Sequence, residues 1–537
     1  MSALAMDVPP PSLLAAAALL VAFVAGLVIR WRHRSKYDLH LIPGPPAYPI
    51  VGNLPQMITW ARPQLHLKVL AWMKEHGKIM KLILPGLGGY NLYIGDPEYL
   101  QNNVSGHGAN GLPKSKLYND FRVLASPNDV DTLFTCVETN EYWKAIRKGM
   151  ARAFSTTALK DVFPQALRKV LELTDIIKKK PPTEPIEVQG LFLRLTFDVV
   201  GLAGYNIDFK GLQNEHHPFL EALEYCADDA LATCLNPLRK WVKWAFPLGK
   251  LAQDCNKRYS QIYDYYKLIM RELRAREQPA ADDMSIWACL MRIKDPRTGA
   301  PLDDATLSME VGTFIIGGSD TTSHQLTWVL FAIATHPEVE QRVVDELKAS
   351  GVFQLVRDGA ADRLIYSDVM GLSYLGMVVK EATRMFPVGP LGGSRRTTED
   401  GVRVCGYRVP KGTLIHINSL GLNNVPWLWD SPEKFDPERW VKHETSVESE
   451  DKAHPGQKSP PRKLWSFSDG PRDCIGQRLA IMELHLAVAV LLANFELRLA
   501  ERMGGWEGTL SRQYIGLVMC IDGGMWLHFD PRVDLEE

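Results

Sequence analysis

A long middle region of this chain decides its fold class, because its apolar residues recur mostly at helical spacing. The pattern runs from about Tyr142 to Glu381, with three or four residues between apolar positions. Prolines interrupt it after Lys180 and after His336, where helices are expected to end and begin. No single helix of a globular protein is this long, so the region predicts a body of several packed helices.

Short strand-like runs lie on both sides of the helical region. Ile79 to Leu84 and Tyr90 to Ile94 are separated by glycine-rich residues and predict a hairpin. Asp522-Gly523-Gly524 predicts a final hairpin near the C-terminus. Further short strands are expected at Val402 to Val404, Tyr407 to Val409 and Thr413 to Ile417. The expected fold class is therefore mainly α with small β-sheets.

Composition excludes several classes of protein. The 537 residues are 46% apolar and 23% charged, as in an ordinary globular protein and unlike a collagen-like, coiled-coil or disordered chain. The formal net charge is -1, so no basic excess predicts binding to nucleic acid. The eight cysteines include no CxxC pair, which argues against a disulfide framework or a Cys-rich zinc site and favours reduced thiols.

An uncharged apolar run occupies residues 12–29. As a helix it would be about 27 Å long, enough to cross a membrane once. Arg30, Arg32, Arg34 and Lys36 follow it directly, and the positive-inside rule then places the C-terminal side in the cytosol. The alternative is a cleaved signal peptide, but there the positive charges would precede the apolar run. We expect residues 1–11 to be a short lumenal N-terminus and 12–29 a transmembrane anchor.

A basic and proline-rich segment occupies residues 30–55. Its basic residues are expected to stop translocation of the chain across the membrane, and its prolines to form a stiff hinge. The remaining residues, 56–537, are expected to form one large domain, since they contain no comparable apolar run and no internal repeat. Within this domain, 442–463 is polar and rich in proline and serine, which predicts a solvated surface loop.

The segment with the most specific chemistry surrounds Cys474 and reads Phe467-Ser-Asp-Gly-Pro-Arg-Asp-Cys-Ile-Gly476. An apolar helix is expected to follow, and a cysteine just before a helix N-terminus is favoured as the thiolate that ligates a metal. Gly470 and Gly476 let the backbone turn and lie close to a flat cofactor, and Arg472 supplies a charge for an anionic group. A lone cysteine is usually a buried structural residue, but this spacing favours a ligand.

The pattern FxxGxRxCxG resembles the haem-binding signature of the cytochrome P450 family, in which the cysteine is the proximal iron ligand. The resemblance implies the cytochrome P450 fold for the catalytic domain at 56–537. It implies a haem b cofactor, iron protoporphyrin IX, with Cys474 as the metal ligand. It also implies that Phe467, Gly470, Arg472 and Gly476 form part of the cofactor site.

Two further segments match a buried ion-pair triad of that family. Glu381-Ala-Thr-Arg384 has opposite charges at i and i+3, which on an isolated helix would be a weak surface pair. Arg439 follows in Phe435-Asp-Pro-Glu-Arg-Trp440, with Trp440 where the family usually has phenylalanine. The resemblance implies a structural triad of Glu381, Arg384 and Arg439 near the haem.

Another match lies in a helical run expected from about Asp304 to Thr335, which contains Gly317-Gly-Ser-Asp-Thr321. Adjacent glycines cost roughly 1 kcal/mol each in a helix relative to alanine. Close packing of small residues would explain them alone, but the segment also resembles the oxygen-binding groove of the family. That resemblance implies that Gly318 contacts the cofactor and that Asp320 and Thr321 deliver protons during oxygen activation.

Two more cofactor contacts rest on the resemblance. Trp143 and Arg147 form a WxxxR pair one helical turn apart, which the family uses to hold a haem propionate. Arg395 falls where the family usually has a Pro-Arg pair at the other propionate, although Ser394 replaces the proline here.

Together the motifs imply a membrane-anchored haem-thiolate monooxygenase of the endoplasmic reticulum, facing the cytosol, that inserts one atom of O2 into a lipophilic small molecule. No flavin or iron–sulfur segment follows Asp522, so the implied electron donor is a separate NADPH-cytochrome P450 reductase. Lys144, Lys148 and Arg152 offer positive charge to steer such a partner, the alternative being a plain solvated helix face.

Two other functions are left open by the sequence. A haem-thiolate isomerase or dehydratase would act on a peroxide without activating O2, which Asp320 and Thr321 argue against. A haem sensor or carrier would need neither that pair nor a substrate cavity. Fatty acid, sterol, terpenoid and xenobiotic substrates also stay open. The expected pocket residues are mostly apolar and comprise Phe314, Ile315, 388–391 and 514–515.

Overall fold

The structure is a computed structural model that describes residues 36–57, 64–85, 89–106, 111–125, 130–441 and 464–533. The predicted anchor at 12–29, the basic residues 30–35 and the predicted surface loop at 442–463 lie outside the described residues.

Helices make up most of the described chain. They are α1 Leu54–Met57, α2 Leu65–His76, α3 Pro97–Asn103, α4 Glu141–Met150, α5 Thr156–Lys178, α6 Val188–Tyr205, α7 Pro218–Leu235, α8 Pro237–Ala245, α9 Lys250–Ala275, α10 Ile286–Arg292, α11 Asp304–Ala334, α12 Pro337–Ala349, α13 Val352–Arg357, α14 Tyr366–Met370, α15 Ser373–Met385, α16 Ser419–Asn424, α17 Gln477–Asn494 and α18 Gly505–Ser511. Short 3-10 helices lie at Lys116–Leu124, Ala151–Phe154, Ala361–Arg363, Trp465–Phe467, Gly470–Arg472 and Glu501–Met503.

The strands are short and belong to separate small sheets. They are β1 Ile79–Leu84, β2 Gly89–Ile94, β3 Ile186–Glu187, β4 Gly393–Arg396, β5 Val402–Val404, β6 Tyr407–Val409, β7 Leu414–Ile417, β8 Phe495–Leu499, β9 Gln513–Ile515, β10 Met519–Ile521 and β11 Trp526–Pro531. The predicted class, mainly α with small sheets, is confirmed.

The helical body is built around α11 and α17, which are buried along most of their lengths. Helix α11 begins after Asp303, whose carboxylate accepts a hydrogen bond from the Thr306 N–H, and ends at Ala334, before the proline that opens α12. Helices α5 and α6 pack against this pair and complete a continuous hydrophobic core. The helical run predicted from Asp304 is therefore confirmed.

Helix α17 is the one helix of the described chain that is long and apolar enough to cross a membrane. Its mean hydropathy is 1.3, and 78% of it is buried inside the protein. The apolar composition is thus that of a core helix that meets protein on all sides.

The largest sheet has the strand order β1-β2-β7-β4. Strands β1 and β2 are antiparallel, with Ile79 opposite Ile94, whereas β2 and β7 are parallel. Strands β5 and β6 pair as a separate hairpin. The predicted N-terminal hairpin and the predicted strands near 402–417 are confirmed.

The hairpin predicted at Asp522-Gly523-Gly524 is wrong. The turn is present, with φ of 79° and 75° at the two glycines, but β10 before it pairs with β9, and β11 after it pairs with β8 and β3. The chain leaves the turn beside the start of α6, where the Val188 N–H donates to the Met525 carbonyl at 2.8 Å. Contacts distant in sequence therefore decide the pairing, and the turn residues do not.

The proline-rich segment packs against the large sheet instead of extending as a linker. Ile42 is 1% exposed, and the Lys81 ammonium donates to its carbonyl at 2.7 Å. A Cβ on Gly44 would lie 2.3 Å from the Lys81 carbonyl oxygen, so the two backbones touch. Residues 37–55 are thus part of the folded body.

Candidate functional site

The cysteine loop turns sharply between two fixed points. The Cys474 N–H donates to the Phe467 carbonyl at 2.9 Å, and a Cβ on Gly470, whose φ is 73°, would lie 1.8 Å from the Ser105 carbonyl oxygen. Position 470 therefore requires glycine. The loop ends at Gly476, from which α17 runs into the core.

The thiol of Cys474 faces an internal space. All eight cysteines are described, and Cys474 alone is exposed. Desolvation by the neighbouring protein nevertheless raises the pKa of this thiol. The N–H groups of Gly476 and Gln477 and the charge of Arg147 act against that rise in pKa. A group that is accessible yet desolvated lines a cavity, which is where a cofactor would meet it.

Four cationic side chains lie together beside this loop: Lys114, Arg147, Arg395 and Arg472. Lys114 and Arg395 face each other across a β-bridge and are 7% and 2% exposed. The Arg472 guanidinium lies 3.9 Å from the ring centre of Trp143. Arg147, one turn after Trp143 on α4, donates to the Asp473 carbonyl at 3.0 Å and pairs with its carboxylate.

Only Arg147 of these four forms an ion pair with a carboxylate of the described residues. Burial, followed by the charges of Arg395 and Arg472, lowers the pKa of Lys114 well below its usual range. Burial also lowers the pKa of Arg395, and that of Arg472 to about 10. Buried like charges are costly until anions neutralise them. The cluster therefore fits a cofactor with two carboxylates, such as the propionates of a haem.

Helix α11 opens towards an internal space at one point. A Cβ on Gly317 would meet no other heavy atom within 4 Å, and Gly317 is exposed on an otherwise buried helix. Thr321, one turn later, is half-buried, and its hydroxyl donates to the Gly317 carbonyl at 2.8 Å. That bond occupies a carbonyl of the helix and loosens it locally.

Gly318, which the sequence predicts to contact the cofactor, lies against α6. A Cβ on Gly318 would lie 2.5 Å from the Val200 side chain, so this glycine is small to let α6 approach α11. The open position is Gly317. Two adjacent glycines point in directions about 100° apart on a helix, and the sequence alone did not decide which one faces the groove.

The groove and the cysteine loop meet around one aromatic residue. Phe314 stacks on Phe154 with ring centres 5.9 Å apart. The ring of Phe154 also lies 3.9 Å from the Cβ position of Gly476. The structure thus brings α11 and the cysteine loop together on opposite sides of Phe154.

Asp320 precedes Thr321 and is half-buried, and its Oδ2 is a buried atom with no hydrogen-bond partner among the described residues. Burial raises the pKa of its carboxyl; the nearby His324 lowers it and Glu224 raises it further. A carboxyl with a raised pKa that keeps a free oxygen can accept and release a proton.

The triad residues meet in the core at the end of α15. Arg384 donates to both carboxylate oxygens of Glu381, at 2.9 and 3.0 Å, and Arg439 donates to one of them at 2.9 Å. Glu381 and Arg384 are both 0% exposed. The indole of Trp440 donates to Glu381 at 3.1 Å, a hydrogen bond that phenylalanine could not make.

The expected pocket residues fall into two groups. A Cβ on Gly389 would meet nothing within 4 Å, and Val388 packs against Tyr514, so this wall lines open space. Ile315, in contrast, is fully buried in the main core. Its side chain therefore supports α11 and does not reach a ligand.

Sequence reasoning missed two residues of the site. Gly317 was detectable in principle, because Thr321 lies four residues later on the same helix face. Lys114 carries no sequence signal of its own. It lies in an irregular segment, and only the β-bridge to Arg395 brings it to the cluster.

Known proteins resemble this chain over most of its length. The family model described as Cytochrome P450 matches residues 42–515. Cytochrome P450 3A5 of Homo sapiens is 26% identical over 475 residues, 85% of each chain. Ganoderic acid synthetase CYP5150L8 of Ganoderma lucidum is 26% identical over 531 residues, covering 91% of this chain and 94% of its own. Cytochrome P450 4F5 of Rattus norvegicus is 33% identical over 259 residues, covering 48% and 44%.

Proposed function

The chain belongs to the cytochrome P450 family and is a haem-thiolate monooxygenase, and we propose here which of its residues hold the haem, what supplies its electrons and what it oxidises. Cys474 is the proximal ligand. The cofactor is a noncovalent haem b, since the chain has no CxxC pair for covalent attachment. The observation that carries this proposal is a cluster of four cations, of which only Arg147 has a carboxylate partner among the described residues, next to the accessible Cys474.

Each residue of the site has a distinct task. Arg147, Arg395, Arg472 and Lys114 bind the two propionates, and Trp143 orients Arg472 by stacking under it. The N–H groups of Gly476 and Gln477 hold the Cys474 thiolate. Phe467 and Gly470 fix the shape of the loop, and Gly476 and Gly317 leave room for a flat ring.

The bound haem supplies electron acceptance and oxygen activation, which a thiolate ligand favours. Thr321 and Asp320 control protons next to it. The Thr321 hydroxyl lies at the open part of α11 and can hold a water molecule, while the free Oδ2 of Asp320 can take up a proton and pass it on. Neither task is needed by an isomerase, a dehydratase or a haem carrier.

The triad of Glu381, Arg384 and Arg439 is structural. Its hydrogen bonds tie α15 to the segment that precedes the cysteine loop. We assign it to holding that loop and not to chemistry.

The electron donor is a separate NADPH-cytochrome P450 reductase that docks on the side of the cysteine loop. Lys144, Lys148 and Arg152 are exposed at four-residue intervals along and just beyond α4. Arg147 on the same helix contacts the cysteine loop through Asp473. A basic stripe this close to the metal ligand suits an acidic electron-transfer partner.

The protein is anchored in the endoplasmic reticulum membrane through 12–29, with the catalytic domain in the cytosol. A second contact supports this placement. Helix α8 and the residues after it expose large apolar side chains next to Arg239, Lys240 and Lys243. The exposed ones are Leu238, Trp241, Trp244, Phe246 and Leu248, which are 56–84% exposed. Arg239 and Lys243 pair with Asp229 and Lys240 pairs with Asp120, so the exposed tryptophans and the other apolar side chains are what suit a membrane interface.

The substrate is a lipophilic small molecule. It enters the space bounded by Phe314, Val388 and Tyr514, whose walls are apolar.

Reconstitution tests this function. Full-length protein in lipid vesicles with the reductase and NADPH is supplied with isotope-labelled O2 and a panel of lipophilic compounds. We expect a product with one labelled oxygen, formed only when the reductase is present, and inhibition by carbon monoxide. The proposal would be contradicted if the product oxygen came from water, or if turnover did not depend on the reductase.

A variant pair tests the proton role. Thr321→Ala should keep haem and substrate affinity but lower the ratio of product to NADPH and release hydrogen peroxide. Thr327→Ala is the matched control, because the Thr327 hydroxyl makes the same bond to a carbonyl one turn earlier, at 2.9 Å, but is buried in the core. A ratio of product to NADPH in Thr321→Ala equal to that of the wild type would show that Thr321 does not control protons.

A further inference from the structure

A cavity lined by Asp320 lies between α7, α11, the start of α6 and the β9–β10 hairpin. Its volume is about 320 Å³, enough for several water molecules. Its acidic side chains are Glu187, Glu224, Asp228 and Asp320, and His324 and Cys520 also line it. Asp320 is therefore placed between this polar cavity and the groove that holds Thr321.

His324 occupies a defined position in the wall of the cavity. Its Nδ1 lies 2.7 Å from the main-chain carbonyl of Asp320 and 3.5 Å from the Asp320 carboxylate. Because Nδ1 must donate to that carbonyl, the proton of a neutral ring sits on Nδ1. Its Nε2 lies 3.4 Å from the Cys520 sulfur. Nε2 thus accepts a hydrogen bond from the thiol when the ring is neutral and donates one to the sulfur when the ring is charged.

The surroundings favour a charged ring. Burial alone would lower the pKa of His324, but Cys520 and then Asp320 outweigh burial and raise it. The other titratable groups that line the cavity are Glu224 and Asp228 from α7, Glu187 from the start of α6, and Tyr514 from β9. A positive ring here balances Asp320 and keeps it ionised between proton transfers.

We propose that His324, fixed by Cys520, is a positioning residue that holds Asp320 ready to take protons from the cavity and pass them towards Thr321. The inference rests on the proposed proton role of Asp320 and Thr321 and extends it to His324, one turn later on α11, and to Cys520 on β10. A proton moves from cavity water to the Asp320 carboxylate and then to the Thr321 side of the groove. No other bond forms or breaks.

His485 provides the matched control. It is equally buried in a helix, and its Nδ1 also bonds to a carbonyl one turn earlier, at 2.8 Å. Burial lowers the pKa of His485, and no thiol or aspartate is bonded to it among the described residues. His324→Gln and His485→Gln therefore remove the same local bond but differ in the coupling to Asp320.

The first test measures the interaction between His324 and Cys520 without catalytic turnover. Purified protein is treated with iodoacetamide at pH 7, and alkylation of Cys520 is followed by mass spectrometry. We expect His324→Gln and Asp320→Asn to slow this alkylation by about tenfold, because the first removes the imidazole that takes up the thiol proton and the second removes the carboxylate beside that imidazole. His485→Gln should leave the rate unchanged. Equal rates in His324→Gln and wild type would overturn the inference.

The second test measures how much product forms for each NADPH consumed. We expect His324→Gln to lower the ratio of product to NADPH and to change how that ratio depends on pH, with haem content and substrate affinity retained. If Thr321→Ala uncouples the enzyme but His324→Gln does not, the inference is wrong and the proposed function stands. If neither variant uncouples it, the proton role itself is wrong.

Discussion

Lys114, Arg395 and Arg472 bring three positive charges to one place with no ion-pair partner among the described residues. Removing a charge from water costs several kcal/mol unless an opposite charge compensates it. The protein without its cofactor should therefore be strained at this cluster, and the haem propionates should relieve that strain.

Lys114→Met tests this balance. Losing one of the repelling charges should raise the free energy of unfolding of the haem-free protein by about 1–2 kcal/mol. The same change should speed haem loss by about tenfold, since a charge-assisted hydrogen bond to a propionate is lost. Transfer of haem to apomyoglobin measures the second effect. Arg396→Met is the control, because Arg396 pairs with Glu138 outside the cluster. Slower or unchanged haem loss in Lys114→Met would show that Lys114 does not bind a propionate.

The sequence predicted two of these three cations. Arg395 and Arg472 follow from motifs that the family shares, whereas Lys114 reaches the cluster only through the sheet. Likewise, Gly317 and Gly318 are chemically identical in the sequence. Only the packing of Val200 against Gly318 shows which of them faces the groove.

At the scale of elements, the ion-pair triad joins α15 to the chain before the cysteine loop. The pair of Glu381 and Arg384 is fully buried, so removal of either partner leaves an uncompensated charge in the core. The Trp440 indole adds a fifth N–H donor to the same carboxylate, after two from Arg384, one from Arg439 and the main-chain N–H of Asp436.

Trp440→Phe tests that added bond while keeping an aromatic ring in place. Loss of the indole N–H should lower the free energy of unfolding by about 1.5–3 kcal/mol, as expected for a hydrogen bond to a charged group. Arg384→Leu should cost more, about 3–5 kcal/mol, because it breaks the buried pair. Urea unfolding followed by circular dichroism measures both. A Trp440→Phe variant as stable as wild type would show that the indole bond contributes nothing.

Element boundaries were predictable where local chemistry sets them. The break expected at Pro337 is present: α11 ends at Ala334 and α12 begins at Pro337. The strand pairing around Gly523 was not predictable from the turn, because β11 pairs with β3 and β8, which lie more than twenty residues away in the sequence. Turn residues show where a chain reverses but not which strand it meets.

For the molecule as a whole, the net charge of -1 gives no general attraction for an acidic partner. Any steering of the reductase must therefore be local. The stripe of Lys144, Lys148 and Arg152 lies on the helix that contacts the cysteine loop.

Charge reversal tests the stripe. Lys144→Glu with Lys148→Glu should slow reductase-supported turnover several-fold at low salt, with a smaller effect at high salt because ions screen the attraction. Lys267→Glu is the control, since Lys267 forms the same exposed i,i+3 pair on α9 as Lys144 does on α4. Unchanged turnover at low salt in the double variant would assign docking to another face.

The role of Cys474 is tested most directly by the absorption spectrum of the reduced protein with carbon monoxide. Wild type and the control Cys405→Ser should both show the red-shifted band from which the family takes its name, because a thiolate ligates the iron. Cys474→Ala should lose that band while the helices remain folded by circular dichroism. Retention of the band in Cys474→Ala would contradict the assignment of the cysteine loop as the haem site.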